Sequence, residues 1–196
     1  MENIYQGLAK FCSIETDRLY LRAVRIEDAE DMFAYASDEE NVRWTFPANK
    51  TLEETKNNIA SLYLANPLGR WGIVIKETNR FIGTIDLMKI AEDVRRAEIG
   101  YTLNKHYWNK GYMTEAVTKI LQVFFEDLQM SCLIARHDKE NPASGRVMQK
   151  SGMLFSHEEP YAKIDKKVDE RMVTMVHYRL TKEDYFRQVD NAVKQS

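Results

Sequence analysis

The 196-residue sequence has only two cysteines, Cys12 and Cys132, which lie far apart with no partner motif around either. This scarcity excludes a disulfide-stabilised scaffold and is typical of a reducing compartment. Long apolar runs are also missing, since stretches such as "GIVI" at 72–75 are far shorter than the roughly 20 residues of a membrane span. The N-terminus lacks a charged start followed by an apolar run. We therefore expect a cytoplasmic protein with no membrane segment.

The sequence also lacks an excess of charge of either sign. The 28 Lys and Arg residues nearly balance the 30 Asp and Glu residues, which leaves a net charge of −2 and no signature of nucleic-acid binding. Hydrophobic residues make up 44% of the chain, enough for one core without metals. No Pro/Gly/Ser-rich linker divides the sequence. We predict one domain over residues 14–186, an N-terminal arm over 1–13 and a C-terminal tail over 187–196.

Hydrophobic periodicity predicts alternating strands and helices. The order strand, helix, strand over residues 95–137 predicts a βαβ unit with one parallel strand pair, whereas hairpins around this unit predict antiparallel pairs. The fold class is therefore α/β with a mixed sheet. The polar run "KIDKKVDE" at 163–170 predicts a hairpin loop, and a polar helix is predicted to finish the chain.

The segment "YWNKGYMTEAV" at 107–117 places a glycine where a strand feeds a helix. The first turn of a helix leaves backbone N–H groups without partners and carries partial positive charge, so it readily binds phosphate. The spacing matches neither a P-loop nor the dinucleotide fingerprint. Two readings stay open: Gly111 turns a corner, or the segment is a pyrophosphate cradle formed by Asn109, Lys110, Gly111, Tyr112, Met113 and Thr114.

Four segments in order resemble the GNAT N-acetyltransferase superfamily. They are "IETDRLYLRAVRIEDAEDMF" at 14–33, "AEIGYTLNKHYWNKGYMTEAV" at 97–117, "NPASGRVMQKSGM" at 141–153 and "DERMVTMVHYRLTKEDY" at 169–185. They look most like the RimJ/RimL branch, which acetylates the α-amino groups of ribosomal proteins. The resemblance implies a GNAT fold: a mixed, strongly twisted sheet splayed between strands 4 and 5, with helices on both faces. It also implies acetyl-CoA as co-substrate and no metal.

The resemblance also implies roles for individual residues. The superfamily pattern Gln/Arg-x-x-Gly-x-Gly/Ala keeps only Gly111 here, and Met113 replaces its last small residue. The backbone of Tyr101, Thr102 and Leu103 is expected to pair with the pantetheine arm. Asn141 and Ser144 are expected to bond that arm near the thioester, although Asn141 fits a plain helix N-cap before Pro142 equally well.

Acetyl transfer needs a neutral amine, a donor for the oxyanion and a proton for the leaving thiolate. The resemblance places a base at Glu98, whose alternative role is an ion pair with Arg95 or Arg96. Many members use a tyrosine as general acid at the position of Met148, which has no proton to give. We therefore expect Ser144 to serve the thiol side. Alternatively, Ser144 only begins a helix and has no chemical role, and the amine attacks directly with proton loss to solvent.

The acceptor follows from the branch alone. The resemblance favours the N-terminal α-amine of a protein, possibly ribosomal. The alternatives are a small amine, such as a polyamine, an amino sugar or an antibiotic, and a non-catalytic acyl-CoA-binding domain. A fold family does not fix a substrate. Family members are commonly dimers, so a homodimer is an open expectation.

Overall fold

The computed structural model describes residues 3–165 and 170–195. Its eight strands form one sheet in the order β1-β2-β3-β4-β5-β6-β8-β7. The strands are β1 Ser13–Glu15, β2 Leu19–Arg22, β3 Arg70–Ile75, β4 Phe81–Ala91, β5 Arg96–Leu103, β6 Cys132–Asp138, β7 Leu154–Asp165 and β8 Arg171–Thr181.

Seven α-helices connect or flank these strands in the described residues. They are α1 Ile4–Ala9, α2 Ala29–Ala36, α3 Glu39–Val42, α4 Leu52–Asn58, α5 Tyr112–Gln122, α6 Pro142–Lys150 and α7 Lys182–Gln195. A π-helical segment, Ile59–Leu64, extends α4, and another, Val123–Asp127, extends α5. The Thr51 hydroxyl caps α4 by accepting from the Glu54 N–H at 3.0 Å, as the Thr51–Glu54 spacing predicts.

The strand pair that positions the site is β5–β6. It is the parallel pair of the sheet, and its register covers only Arg96–Glu98 against Cys132–Ile134. Beyond that point β5 continues beside β4 as far as Leu103, and β6 continues beside β8 as far as Asp138. The two strands therefore diverge, which is the predicted splay. It falls between the fifth and sixth strands because the short β1, which the sequence analysis did not identify, shifts the count.

Alternating side chains send apolar residues to both faces of the sheet. One face packs on α1, α5 and α6, with fully buried Leu21, Ile73 and Ile85 beneath Val117 and Ile120. The other face packs on α2 and α4 through a smaller cluster that contains Met32, Tyr35, Ile59, Val74 and Phe81. Helices thus cover both faces, and the predicted α/β GNAT fold class is confirmed. In the predicted N-terminal arm, Ile4 and Leu8 of α1 are buried in the first core.

The sequence analysis did not identify β7. Its residues are almost all exposed, so no apolar alternation marks it, and Pro160 interrupts it. In the predicted loop at 163–170, Lys163–Asp165 belong to β7 and Glu170 precedes β8, while residues 166–169 lie outside the described residues. Residues 1, 2 and 196, at the ends of the predicted arm and tail, also lie outside the described residues. Within the described ranges, no helix is both long and apolar enough to cross a membrane.

Candidate active site

A cleft of about 780 Å³ opens where β5 and β6 diverge. One wall is the free edge of β5 at residues 99–103, and the other is the end of β6 with the first turns of α6. The lining is completed by residues 107–109 and 111–114 and by Asn41, Trp44 and Thr45. A concave site with converging polar groups is the default site for a ligand, and this cleft gathers most of the predicted site residues.

The predicted cradle forms part of the cleft lining. Asn109 and Gly111 both have left-handed backbone conformations, with φ of 59° and 81°, and α5 begins at Tyr112. Such alternation turns successive N–H groups toward one point in front of the positive end of the helix. Five of the six predicted residues line the cleft, whereas Lys110 does not. The Lys110 ammonium instead lies 5.3 Å from the ring centre of Tyr107.

A brace from the start of the chain fixes this cradle. The Arg18 guanidinium donates to the Lys110 carbonyl at 3.0 Å and pairs with the Glu115 carboxylate at 2.6 Å. Glu115 also accepts from the Thr16 hydroxyl at 2.6 Å. Desolvation alone would raise the pKa of Glu115, but the hydrogen bonds from Thr16 and Arg18 outweigh it and hold the pKa below its usual value. The carboxylate therefore stays ionised at neutral pH and keeps the brace closed.

The free edge of β5 is partly satisfied within the protein. The Leu103 carbonyl accepts from the Asn41 amide at 3.1 Å and from the Trp108 indole at 2.8 Å. Both of its lone pairs are therefore used. Tyr101 and Thr102 also line the cleft. The Tyr101 peptide groups point to the edge where β5 has separated from β6, whereas those of Thr102 bond β4.

The head of α6 brings together Asn141 and Ser144. The Asn141 side chain caps the helix by accepting from the Ser144 N–H. The Ser144 hydroxyl donates to the Tyr101 phenol oxygen at 3.1 Å, and that phenol donates to the Ser144 carbonyl at 2.9 Å. Burial raises the pKa of Tyr101, so the phenol stays protonated. The sequence analysis used only the backbone of Tyr101, because nothing in the local sequence pairs it with a residue 43 positions away.

Glu98 lies apart from these groups. It is not among the residues that line the cleft. One of its carboxylate oxygens lies 2.8 Å from the Lys89 ammonium, and the other accepts from the Arg136 guanidinium at 3.0 Å. Its ion-pair partners are thus Lys89 and Arg136, and neither Arg95 nor Arg96 is paired with it in the described residues. Glu98 can accept a proton only at the expense of these pairs.

The cleft also contains basic side chains that the sequence analysis did not single out. Arg146 and Lys150 line it from α6, and Arg136 lines it from β6. The i,i+4 spacing of Arg146 and Lys150 was the available signal, since it puts both on one face of a helix. Met148 is buried in the core. No cluster of metal-ligating side chains occurs in residues 3–165 and 170–195.

Comparisons with known proteins agree with this geometry. Residues 18–154 match the family model described as Acetyltransferase (GNAT) domain. The chain is 36% identical over 146 residues to the uncharacterized N-acetyltransferase YoaA of Bacillus subtilis, covering 72% of this chain and 82% of the relative. It is 30% identical over 182 residues to the uncharacterized N-acetyltransferase p20 of Bacillus licheniformis, covering 88% and 98%.

Solved structures show the same architecture. A GNAT-family acetyltransferase from Bacillus anthracis superposes with a TM-score of 0.76 at 26% identity, covering 87% of this chain and 99% of that one. The microcin C7 self-immunity acetyltransferase MccE, solved with acetyl-CoA and AMP, gives 0.74 at 17% identity, covering 85% and 93%. The chain belongs to the GNAT acetyltransferase family and is an acetyl-CoA-dependent N-acetyltransferase.

Proposed function

We propose that the enzyme acetylates the N-terminal α-amine of a protein, in the manner of the RimJ/RimL branch. The observation that carries this proposal is the continuity of the cleft with a second depression of about 320 Å³. The two share Trp44, Thr45, Asp138 and Lys163. Such a groove gives a peptide room to extend away from the reacting amine, which a single small amine does not require.

The charges of this groove also favour a peptide over a polyamine. Asp138 is buried, and its carboxylate lies 2.6 Å from the Arg171 guanidinium. The same guanidinium lies 2.6 Å from Glu140 and 3.8 Å from Asp165. Arg171 offsets one of these three negative charges, and Arg43 and Lys163, which line the same groove, offset the other two, so the groove presents no net negative charge to a polycation. The ordered sequence motifs of the branch support the same acceptor.

A panel of amines tests the acceptor. Acetyl-CoA consumption would be measured with tetrapeptides beginning with Ser, Ala or Met, and with spermidine, glucosamine and kanamycin. We expect the highest kcat/KM for a peptide, and the same peptide with a blocked N-terminus should be inactive. A higher kcat/KM for any of the small amines would overturn the proposal.

The same proposal assigns roles around the cofactor. The N–H groups of residues 109–114 would hold the pyrophosphate of acetyl-CoA, with Arg146 and Lys150 as further cations at the cleft. Tyr101 would bond the pantetheine arm through its backbone, whereas the Thr102 peptide groups bond β4 and leave that residue to line the arm. Leu103 contributes its N–H at most, because its carbonyl is saturated. Asn141 would bond the arm while it caps α6. When bound, acetyl-CoA supplies the activated acetyl group.

We assign the thiol-side proton to the pair Ser144 and Tyr101. The Ser144 hydroxyl would donate to the departing sulfur, and the adjacent phenol of Tyr101 would supply the replacement proton and regain its own from the attacking nitrogen. This arrangement supplies a phenol from β5, whereas the resemblance places the family's phenol on the helix, at the position of Met148. Glu98 remains the base proposed from the resemblance, although its two ion pairs oppose that role.

Removing the serine hydroxyl tests this pair. We expect Ser144→Ala to lower kcat by about 100-fold, the lower end for loss of a general acid, with little change in the acetyl-CoA Kd. Tyr101→Phe should have a smaller effect. The double variant should be no slower than Ser144→Ala alone, because both residues serve one proton path. Steady-state kinetics and calorimetry would measure these values, and strictly additive losses would contradict a shared path.

A further inference from the structure

Asp86 is a buried carboxylate next to the cleft that the motifs do not include. It lies on β4, directly opposite Arg70 of β3 and Gly100 of β5 in the strand register. Directly opposed residues on antiparallel strands send their side chains to the same face. Asp86 therefore points to the sheet face that α2 and α4 cover.

One oxygen of Asp86 has no partner. Its Oδ1 atom is buried and accepts no hydrogen bond from any described residue, yet the residue as a whole is only half-buried. Native proteins rarely leave such an atom unsatisfied, and the exceptions call for an explanation. A proton or a bound ligand group would satisfy this oxygen.

The surroundings of Asp86 favour a proton on this carboxyl. Burial raises its pKa to about 7, although the positive charge of Arg70 opposes the shift. Arg70 also donates to the Leu62 carbonyl at 2.7 Å. The phenols of Tyr35 and Tyr63 lie nearby, with raised pKa values caused first by burial. They are neutral at pH 7, so Arg70 is the nearby charge that acts on Asp86.

A short path joins Asp86 to the cleft. Its register partner Gly100 lines the cleft, and paired Cα atoms on antiparallel strands are about 5 Å apart. Gly100 itself has no side chain there, but the Met88 methyl fills the space above it, 2.6 Å from where a Cβ would stand. Thr102, the next cleft residue on the same face, is paired with Thr84, whose hydroxyl accepts from Tyr63 at 3.3 Å. This polar cluster reaches the cleft wall where β5 diverges from β6.

Glu98 is the diagonal neighbour of Asp86 across β4 and β5 and the rival for the same role. Both Glu98 oxygens are held by cations, whereas Asp86 has a free oxygen. A general base works best when its pKa is near the working pH. The free oxygen of Asp86 therefore favours Asp86 over Glu98 as the general base.

We propose that Asp86 accepts the proton that the acceptor amine must lose, through one water molecule beside Thr102, because the Met88 methyl fills the space above Gly100. An ammonium group in the cleft gives one proton through this water to the carboxylate, which becomes a neutral carboxyl. The free amine then forms a C–N bond to the acetyl carbon, and the C–S bond breaks. The electron pair leaves on the sulfur of CoA, which takes its proton from Ser144, and the second proton of the nitrogen replaces it through Tyr101. Asp86 then returns its proton to solvent.

The test uses Asp86→Asn in the full chain, assayed with the fastest amine of the panel above. We expect kcat/KM to fall about 100-fold at pH 7, as for loss of a general base, with the acetyl-CoA Kd unchanged. The wild-type kcat/KM should decline below about pH 7 with a limb that the variant lacks. Asp31→Asn is the matched control. Asp31 lies on α2, which covers the same face of the sheet, and it is ion-paired to Arg80 away from the cleft.

Thermal stability separates catalysis from structure. A carboxyl whose pKa is raised on folding binds more protons in the native state, so stability declines as pH rises from about 4 to about 7. Asp86→Asn removes that decline, and its Tm at pH 8 should equal or exceed that of the wild type. A lowered Tm with lost activity would mean a structural role and overturn the proposal. So would unchanged kcat/KM, or a raised KM with an unchanged pH profile.

Discussion

Replacing Gly111 by glutamate should abolish acetyl-CoA binding and leave the protein folded. Gly111 has φ of +81° and precedes the first turn of α5. A non-glycine residue in this conformation costs about 1–2 kcal/mol. Glutamate adds a negative charge in front of amides that would hold a pyrophosphate, and like charges placed together cost several kcal/mol. We expect Kd to rise at least about 100-fold, which calorimetric titration would measure.

Gly111→Ala separates the two contributions. A Cβ at this position would lie 3.3 Å from the Arg18 guanidinium, close enough to require a small adjustment of the brace. Alanine has the backbone strain without the charge, so its Kd should rise only about tenfold, the equivalent of 1.4 kcal/mol. Circular dichroism should stay close to wild type in both variants, and Tm should fall by only several degrees, as a strain of about 1–2 kcal/mol implies. An unchanged Kd for Gly111→Glu would exclude residues 109–114 as the pyrophosphate site.

Replacing Gly145 by alanine should reduce turnover although alanine is the better helix former by about 1 kcal/mol. Gly145 lies in α6 where the helix crosses β6, and a Cβ there would stand 2.6 Å from the His137 Nε2 atom. The His137 ring cannot easily move, because its Nδ1 bonds the Asp138 carbonyl at 2.7 Å and its face stacks on Tyr178. The helix must shift instead, and it carries Asn141 and Ser144 with it.

A misplacement of about 1 Å can cost about 100-fold in rate, and we expect a loss of that order in kcat for Gly145→Ala. The matched test is a double variant with His137→Ala, which removes the opposing ring. The double variant should recover part of the kcat that Gly145→Ala loses, and a double-mutant cycle would give the coupling energy. No recovery would mean that the loss does not arise from this contact.

The parts of the fold that the sequence predicts are those with long, regular patterns. The apolar face of α5 recurs over three turns, and the βαβ order places β5 beside β6. In contrast, β7 pairs on one edge only and is exposed, so its sequence shows no alternation. Where a strand is fixed by its neighbour rather than by its own burial, its sequence carries little signal.

The site follows the same rule. Residues 109–114 and 141–144 lie in contiguous segments, so a motif can indicate them. The partnership of Tyr101 with Ser144 and the isolation of Asp86 depend on strands and helices that are distant in sequence. Lys110 illustrates the converse, since a contiguous motif includes it while its side chain turns to Tyr107. Side-chain direction at a left-handed turn is set by packing, which spacing does not reveal.

The divergence of β5 from β6 has a thermodynamic consequence. Three residue pairs hold the two halves of the sheet together there, and beyond them the facing peptide groups have no neighbouring strand in the described chain. A pantetheine arm bound along β5 would act as an inserted strand and complete the sheet. The free energy of acetyl-CoA binding would then add to the free energy of unfolding, which would rise with the logarithm of acetyl-CoA concentration. Cellular acetyl-CoA would thereby set the lifetime of the folded enzyme as well as its rate.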